Sequence, residues 1–439
     1  MMKNARQTAL EILIKTEKNG AYSTLSLRQT LQNSDASDRD RALVTLLVYG
    51  VIEKKITLDH VLAQYLTRPL RQLSPALLCI MRLGVYQLLF AEKIPSNAAV
   101  NESVMLAKNN GCAYAAGMVN AVLRKVAASG LSLPSREDPV HFLSVAYSAP
   151  ETLVSHWISC YGQSAAEQIL SVSVGARPVF IRVNTLKTNA DALIGMLEAE
   201  GIPVCKTAVP DCLRIFAPGD LAASAAFQNG AFYVQDMSSQ LCAAIVGAQP
   251  GETVLDCCAA PGGKTFTLAQ SMRNTGRLIA CDQYRHKTRL IEDGAKRLGI
   301  DIAETVCMNA LHLREKYSNV DRALCDVPCS GLGVIGRKPE LKYRPLADYS
   351  TLPDLQYTIL SACAETVRPG GTVVYSTCTL NPAENDAVCD RFLASNPSFS
   401  VSDDAVYRER STGRYITILP SEDGGDGFFI ARFERNLSE

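Results

Sequence analysis

The chain has 439 residues, with 44 Lys plus Arg against 44 Asp plus Glu, 47% hydrophobic and 20% charged. This is the composition of a folded chain of about two to four domains and excludes intrinsic disorder. No apolar run reaches the roughly 18 residues of a membrane helix. The start, MMKNARQTALEILIKTEKNG, lacks the continuous apolar core of a signal peptide. Without an export signal, the 15 Cys read as reduced thiols of a cytoplasmic protein. Residues 1–140 hold 17 basic against 11 acidic side chains, and residues 141–439 hold 27 against 33. A basic front region approaching a polyanion is one reading of this, and a chance imbalance of solvated faces is the other.

Residues 4–130 read as helices. In ARQTALEILIKTEKN, Ala5, Ala9, Ile12 and Leu13 share a face that Leu10 and Ile14 widen. Leu43, Leu46, Leu47 and Val51 are spaced for one buried face of the next helix. Thr57 is placed to cap a further helix with Asp59 in its first turn. Ser74-Pro75 and Pro95-Ser96 open two more, and the last ends at Gly130. Ser129–Pro139 is a Gly-, Ser- and Pro-rich linker. Residues 140–235 are mixed, with strands at Val179–Val183, Cys212–Phe216 and Ala231–Asp236 and a helix capped by Asn189 and stopped at Gly201. From 236 onward strands alternate with helices, which predicts a parallel sheet covered on both faces. One of these helices, YTILSACAETVRPGG, runs to Gly370-Gly371.

Four segments carry chemistry. In LDCCAAPGGKT, Leu255–Thr265, a hydrophobic strand ends at an acid, and a turn of small residues leads into a helix whose first N–H groups are free for a ligand. It is neither GxGxxG nor a phosphate loop, because Cys258 stands where the first Gly of that loop belongs. Asp282 ends the second strand of this region, about 20 residues beyond the turn, the place from which an acid meets a ribose diol. Asn309 closes the third strand and can hydrogen-bond an adenine edge. Asp326 and Cys329 lie on a loop at the carboxyl end of a strand, followed by Arg337, Lys338, Lys342 and Arg344. Cys378, in YSTCTLNPAENDAV, ends another strand at the same sheet edge. Cys79, Cys160, Cys242, Cys307, Cys363 and Cys389 read instead as small buried hydrophobes. A zinc site built on Cys325 and Cys329 is disfavoured, because no second close Cys/His pair follows.

DCCAAPGGKT, DVPCSG and YSTCTLNPAEN resemble the signatures of S-adenosylmethionine-dependent RNA cytosine-5 methyltransferases. RALVTLLVYGVIEKKITLDHVLAQYL, IMRLGVYQLLF, IPSNAAVNESVMLAKN and GMVNAVLRKV resemble the NusB antitermination factor fold. Joined, they are similar to the small-subunit ribosomal RNA methyltransferase B family. The resemblance implies a multidomain chain: an all-α NusB-like RNA-binding bundle at 1–138, a small α/β module like an RNA-recognition motif at 139–235, and an α/β Rossmann-like catalytic domain at 236–439. It further implies S-adenosyl-L-methionine as cofactor, small-subunit ribosomal RNA as partner, no metal, no membrane and a monomer. By the same resemblance Cys258, Ala259, Ala260, Pro261, Gly262, Gly263 and Lys264 wrap the methionine and sugar of the cofactor. Asp282 holds the ribose, Asn309 stands where the family usually has Asp and faces the adenine through its amide oxygen, and Asp326 lies beside the methyl donor and the base. Cys378 is the implied nucleophile and Cys329 the thiol that releases product, and the basic residues after Cys329 and the basic front domain hold the RNA backbone.

The residue types suit that reaction. Cytosine C5 is a poor nucleophile until a thiolate adds to C6 and places electron density on C5. An acid at the base's N3 stabilises the charge that develops, so Asp326 is expected to be protonated at that moment. A second thiol can remove the C5 proton or assist release. The same chemistry on transfer RNA, and a non-catalytic RNA-binding assembly factor, are the alternatives. The NusB-like front favours ribosomal RNA, and the intact Cys329, Cys378, Asp326 and Gly-rich turn favour catalysis.

Overall fold

The computed structural model describes residues 4–19, 37–216, 219–410, 413–421 and 423–437. The chain divides into two compact units, Met1–Val174 with Arg337–Leu346, and Gly175–Gly336 with Ala347–Glu439.

The first unit is helical. Its described helices are Ala5–Asn19, Asp38–Glu53, Lys55–Ala63, Pro75–Leu89, Ser96–Asn109, Ala116–Ser129, Pro139–Tyr147, Glu151–Tyr161 and Gln163–Val172. Pro75–Leu89 is central: every residue from Leu77 to Gln87 is buried. Ser74 starts it as expected, its hydroxyl accepting from the Leu77 N–H. Within this apolar helix Arg82 is tolerated because Asp59 receives it in a fork, 2.7 Å at each oxygen, and Glu17 meets a third nitrogen at 3.0 Å. In the helix Asp38–Glu53 the buried face is Val44, Leu47, Val48 and Val51, and Leu46 points outward, contrary to the expected grouping. Thr57 caps nothing. It lies inside Lys55–Ala63, fully buried, and donates to the Val145 carbonyl at 2.6 Å. Position two from a helix start looks the same in sequence whether the residue caps or packs.

By their contacts the three helices between 139 and 172 group with the bundle. The segment Arg337–Leu346 also belongs here. Lys342 is buried, its ammonium donating to Glu53 O at 2.8 Å and Tyr147 O at 3.4 Å, so it is not a phosphate-binding side chain. Both acceptors lie at helix C-termini, where a cation is favoured. Burial nonetheless pulls its pKa down to about 7.

The second unit opens with strands β1 Val179–Val183, β2 Val204–Lys206, β3 Cys212–Ile215 and β4 Phe232–Val234, joined by the helix Ala190–Ala199 and a short helical turn at Ala225–Gln228. They form an antiparallel sheet in the order β2-β3-β1-β4. Both faces are covered. Ile181, Val183, Leu213 and Ile215 pack with Leu193 and Leu197. On the other face Tyr233 stacks edge-on against Phe266 and pairs with the Thr267 hydroxyl at 2.8 Å. Phe180 and Tyr233 are therefore interior side chains, not available to stack on exposed bases as the aromatics of an RNA-recognition sheet do.

The remaining strands are β5 Thr253–Asp256, β6 Arg277–Asp282, β7 Ala303–Cys307, β8 Val320–Asp326, β9 Val367–Thr377, β10 Phe399–Val401, β11 Ile416–Ile418 and β12 Phe428–Arg435. Their order is β10-β12-β9-β8-β5-β6-β7, with β11 beside β12. β7 through β9 run parallel, and β12 joins β9 antiparallel. The order reverses at β5, so the carboxyl ends of β5 and β8 open at a switch point where such sheets take ligands. The helix expected to reach Gly370-Gly371 ends at Ala364. The Gly pair lies inside β9, which starts at Val367 and carries a register irregularity against β8 near Val320/Arg322.

Candidate active site

Four of the expected segments meet at the carboxyl ends of β5, β6, β8 and β9. Beyond β5 the turn 257–262 leads into the helix Gly263–Ser271. Gly262 has φ +110°, and a Cβ there would lie 2.4 Å from Phe266 Cζ, so only glycine fits. Asp256, at the tip of β5, is fully buried. Thr265 donates to its Oδ2 at 2.7 Å, and its Oδ1 has no partner. Burial, reinforced by the charges of Asp326 and Asp282, pushes its pKa up to about 7.

Asp326 ends β8. Its Oδ2 accepts from Lys264 Nζ at 2.8 Å and its Oδ1 from the Ser376 hydroxyl at 2.7 Å. Both oxygens thus accept hydrogen bonds. Lys264 also faces the Phe428 ring, 5.0 Å from its centroid. Buried beside a carboxylate, its ammonium is held above the ordinary lysine range.

Cys329 and Cys378, 49 positions apart, bring their sulfurs to 3.3 Å. The hydrogen bond with Cys378 and burial push the Cys329 thiol well above its usual pKa, and the charges of Cys378 and Glu384 add to this. Gly333 N–H donates to the Cys378 carbonyl at 3.0 Å, and a Cβ on Gly333 would strike Gly427 O at 2.2 Å. The GLG after Cys329 is therefore a backing for the Cys378 loop.

Two cavities flank Asp326. One, of ≈ 350 Å³, is lined by Cys258, Ala260, Asp282, Asn309, Asp326, Cys329 and Cys378 among others. The other, of ≈ 180 Å³, is lined by Gln235, Asp236, Ser239, Asp256, Ala259, Pro261, Gly263 and Lys264, and shares Cys258, Ala260 and Asp326 with the first. Of the expected residues only Gly262 lines neither, and its part is conformational. Asp282 accepts from the Tyr284 N–H at 3.0 Å. Asn309 does not close the strand, since β7 ends at Cys307; it caps the next helical turn, its Oδ1 accepting from the Leu311 N–H at 3.0 Å, so the amide oxygen expected to meet adenine is already an acceptor.

Sequence reasoning left out Gln235, whose Nε2 is buried without a partner on the smaller cavity's wall while its Oε1 takes the Thr267 hydroxyl at 2.9 Å. Nothing in a lone VQD marks it. Asp256 was visible as the acid ending an apolar strand, and only its orphaned oxygen gives it a task. Of the thiols read as buried hydrophobes, Cys79, Cys242, Cys363 and Cys389 are buried, whereas Cys160 is half-buried and Cys307 exposed. Cys257, Cys325 and Cys363 place their sulfurs within 4.8 Å of one another, all buried in the core between β5, β8 and the helix Leu352–Ala364.

Three families match parts of the chain. Residues 243–434 match the 16S rRNA methyltransferase RsmB/F family, 3–128 the NusB family, and 149–222 the ferredoxin-like domain of RsmF/B-like methyltransferases. The strand order β2-β3-β1-β4 agrees with the last. The probable ribosomal RNA small subunit methyltransferase B of Bacillus subtilis (strain 168) is 40% identical over 98% of this chain and 99% of its own length. The corresponding Synechocystis sp. protein is 34% identical over 99% and 100%. Among solved structures, PH0851 superposes with a TM-score of 0.80 at 27% identity over 98% of this chain and 99% of its own. A methyltransferase homolog protein from Pyrococcus horikoshii gives 0.59 at 26%, over 68% of this chain and 99% of its own.

Proposed function

The chain belongs to the ribosomal RNA small-subunit methyltransferase B family, and we infer that it methylates C5 of a cytosine in small-subunit (16S) ribosomal RNA through a covalent bond to Cys378. As a member of that family it is an S-adenosylmethionine-dependent methyltransferase of small-subunit ribosomal RNA. The C5 position, the covalent step and the residue roles are our reading. The observation that carries it is the pair of sulfurs 3.3 Å apart, on the wall of a cavity that also holds Asp326 and Asp282.

S-adenosylmethionine supplies an electrophilic methyl group. The residues fit it. We assign Asp282 to the ribose hydroxyls and Asn309 to the adenine, its Oδ1 keeping a second lone pair beside the Leu311 N–H. The smaller cavity suits an amino acid: the orphaned Asp256 Oδ1 takes an ammonium, while Gln235 Nε2 and the first N–H groups of the helix Gly263–Ser271 take a carboxylate. Ala259, Ala260, Pro261 and Gly263 keep the wall low enough for close approach.

An unstacked cytosine brought to this cavity meets Cys378, which adds to C6. Asp326, held in place by the Lys264 ammonium and the Ser376 hydroxyl, would present the proton that steadies the base as charge reaches N3. Once C5 carries its methyl group, Cys329 removes the C5 proton and the Cys378 sulfur departs. The largest cause of the raised Cys329 pKa is its hydrogen bond with Cys378. Bonding that sulfur to carbon removes this contact, so the Cys329 thiol ionises more readily at the step that needs a base. The basic helical region holds the RNA backbone. No described helix is long and apolar enough to cross a membrane, and we take the enzyme to work as a cytoplasmic monomer without a metal.

The test is methyl transfer to small-subunit ribosomal RNA followed by denaturing gel analysis. Cys378→Ala should abolish transfer, and Cys329→Ala should accumulate a protein–RNA adduct that survives denaturation. Undiminished transfer by Cys378→Ala, or modification of transfer RNA in place of ribosomal RNA, removes the reading.

A further inference from the structure

Glu384 is completely buried, yet no Lys or Arg is among its hydrogen-bond partners. Its Oε2 accepts from the Ser330 backbone N–H at 2.9 Å and from Gln356 Nε2 at 3.0 Å, and its Oε1 from Asn381 Nδ2 at 3.0 Å. Gln356 Nε2 donates in addition to the Pro328 carbonyl at 2.9 Å. The residues on either side of Cys329 are thus pinned by one carboxylate–amide pair. That carboxylate stands on the loop that carries Cys378. A second bridge, Ser330 Oγ to Thr379 Oγ1 at 2.7 Å, crosses between the same two loops. On the far side of Cys378, Asn385 takes the Thr377 hydroxyl at 2.6 Å and donates to the Thr379 carbonyl at 3.0 Å.

An interior carboxylate is a costly way to join two loops, since packed apolar side chains do it without desolvating a polar group. What it adds is direction. Three donors on three segments fix the two loops against each other to a fraction of an ångström, and thiol chemistry at 3.3 Å responds to such fractions. Glu384 does not line the cavity, so it touches neither cofactor nor base.

We propose that Glu384, with Gln356, is a positioning residue that sets the spacing of Cys329 and Cys378 and thereby the rate at which the covalent adduct is resolved. The inference rests on the two-thiol reading above. Its charge has a second effect: lying near Cys329, it favours the protonated thiol there.

Three variants test it against Cys378→Ala and Cys329→Ala in one assay of single-turnover methylation, adduct yield and S-adenosylmethionine affinity. Glu384→Ala should lower kcat by about 10–100-fold, leave cofactor affinity within about twofold of wild type, and accumulate adduct as Cys329→Ala does. Glu384→Gln keeps acceptors for Ser330 and Gln356, so it should recover most of the rate and shift the pH profile of adduct resolution, which a merely structural residue would not do. Should Glu384→Ala fail to fold, Gln356→Ala removes one donor while leaving the carboxylate, and it should still slow resolution by about fivefold and accumulate adduct. Folded Glu384→Ala, or in its place Gln356→Ala, with wild-type kcat and no adduct overturns the positioning role, provided the two Cys variants behave as described. Retained transfer by Cys378→Ala overturns the two-thiol reading and this inference with it.

Discussion

Replacing Asp256 by Asn should stabilise the cofactor-free enzyme and weaken its cofactor binding. The carboxyl group is buried, accepts from Thr265 through one oxygen, and leaves the other without a partner. Raising its pKa from 3.8 to about 7, at 1.36 kcal/mol per pH unit, corresponds to roughly 4 kcal/mol lost to ionisation in the fold. Stability from this group is present below the unfolded value, falls between about pH 4 and 7, and stays lost above. Asn keeps an acceptor for Thr265 and carries no charge, so that loss disappears. If half survives relaxation of the site, roughly 2 kcal/mol remains, about 4–8 °C in the melting of a domain this size. In the opposite direction, the ammonium of S-adenosylmethionine loses a charge-assisted contact of about 1.5–3 kcal/mol, or roughly 10–150-fold in affinity. Melting curves at pH 8 with and without cofactor, together with calorimetric titration, measure both. An Asp256→Asn protein that melts lower than wild type without cofactor and binds it equally well refutes the reasoning.

Other expectations follow from single features. Gly262→Ala forces a side chain onto φ +110° and to 2.4 Å from Phe266, so cofactor affinity by titration should fall at least about tenfold. Arg82→Ala removes the forked partner of Asp59, while Glu17 keeps Lys55 at 3.1 Å, and should cost about 3 kcal/mol in chemical denaturation of the helical unit, with cofactor binding intact. Lys342 has its folded pKa lowered to about 7 from 10.5, so the unfolded chain holds the proton longer and stability should rise with pH across that window. Lys342→Met should flatten that rise when the two proteins are compared by denaturation at pH 7 and pH 9.5.

Local order explains what could be read without coordinates. The order of strands and helices from 236 through β9 defined the parallel part of the sheet, because each element carries its own periodicity and its own turn residues, whereas the antiparallel β10, β11 and β12 were not read. Asn189 and Ser74 were readable as caps, since a cap acts within three residues along the chain. The same locality placed Cys258–Lys264, Asp282, Asp326, Cys329 and Cys378 at one edge of the sheet. Thr57, Leu46 and the end of the helix at Ala364 went the other way, because packing there overrode patterns that several conformations satisfy.

The chain's own sequence decided which chemistry is on hand: two thiols, an acid and a low-walled turn at strand ends. Tertiary structure alone decided how those groups are used. It left Asp256 with a bare oxygen, turned Gln235 toward the cavity, took Lys342 out of solvent, and gave Cys329 and Cys378 a shared carboxylate. Ser330 and Glu384 are 54 positions apart, and Glu53 and Lys342 are 289 apart. Hydrogen bonds over such separations leave no periodic trace, because which donors meet which acceptors is fixed only when the packed elements have closed around them.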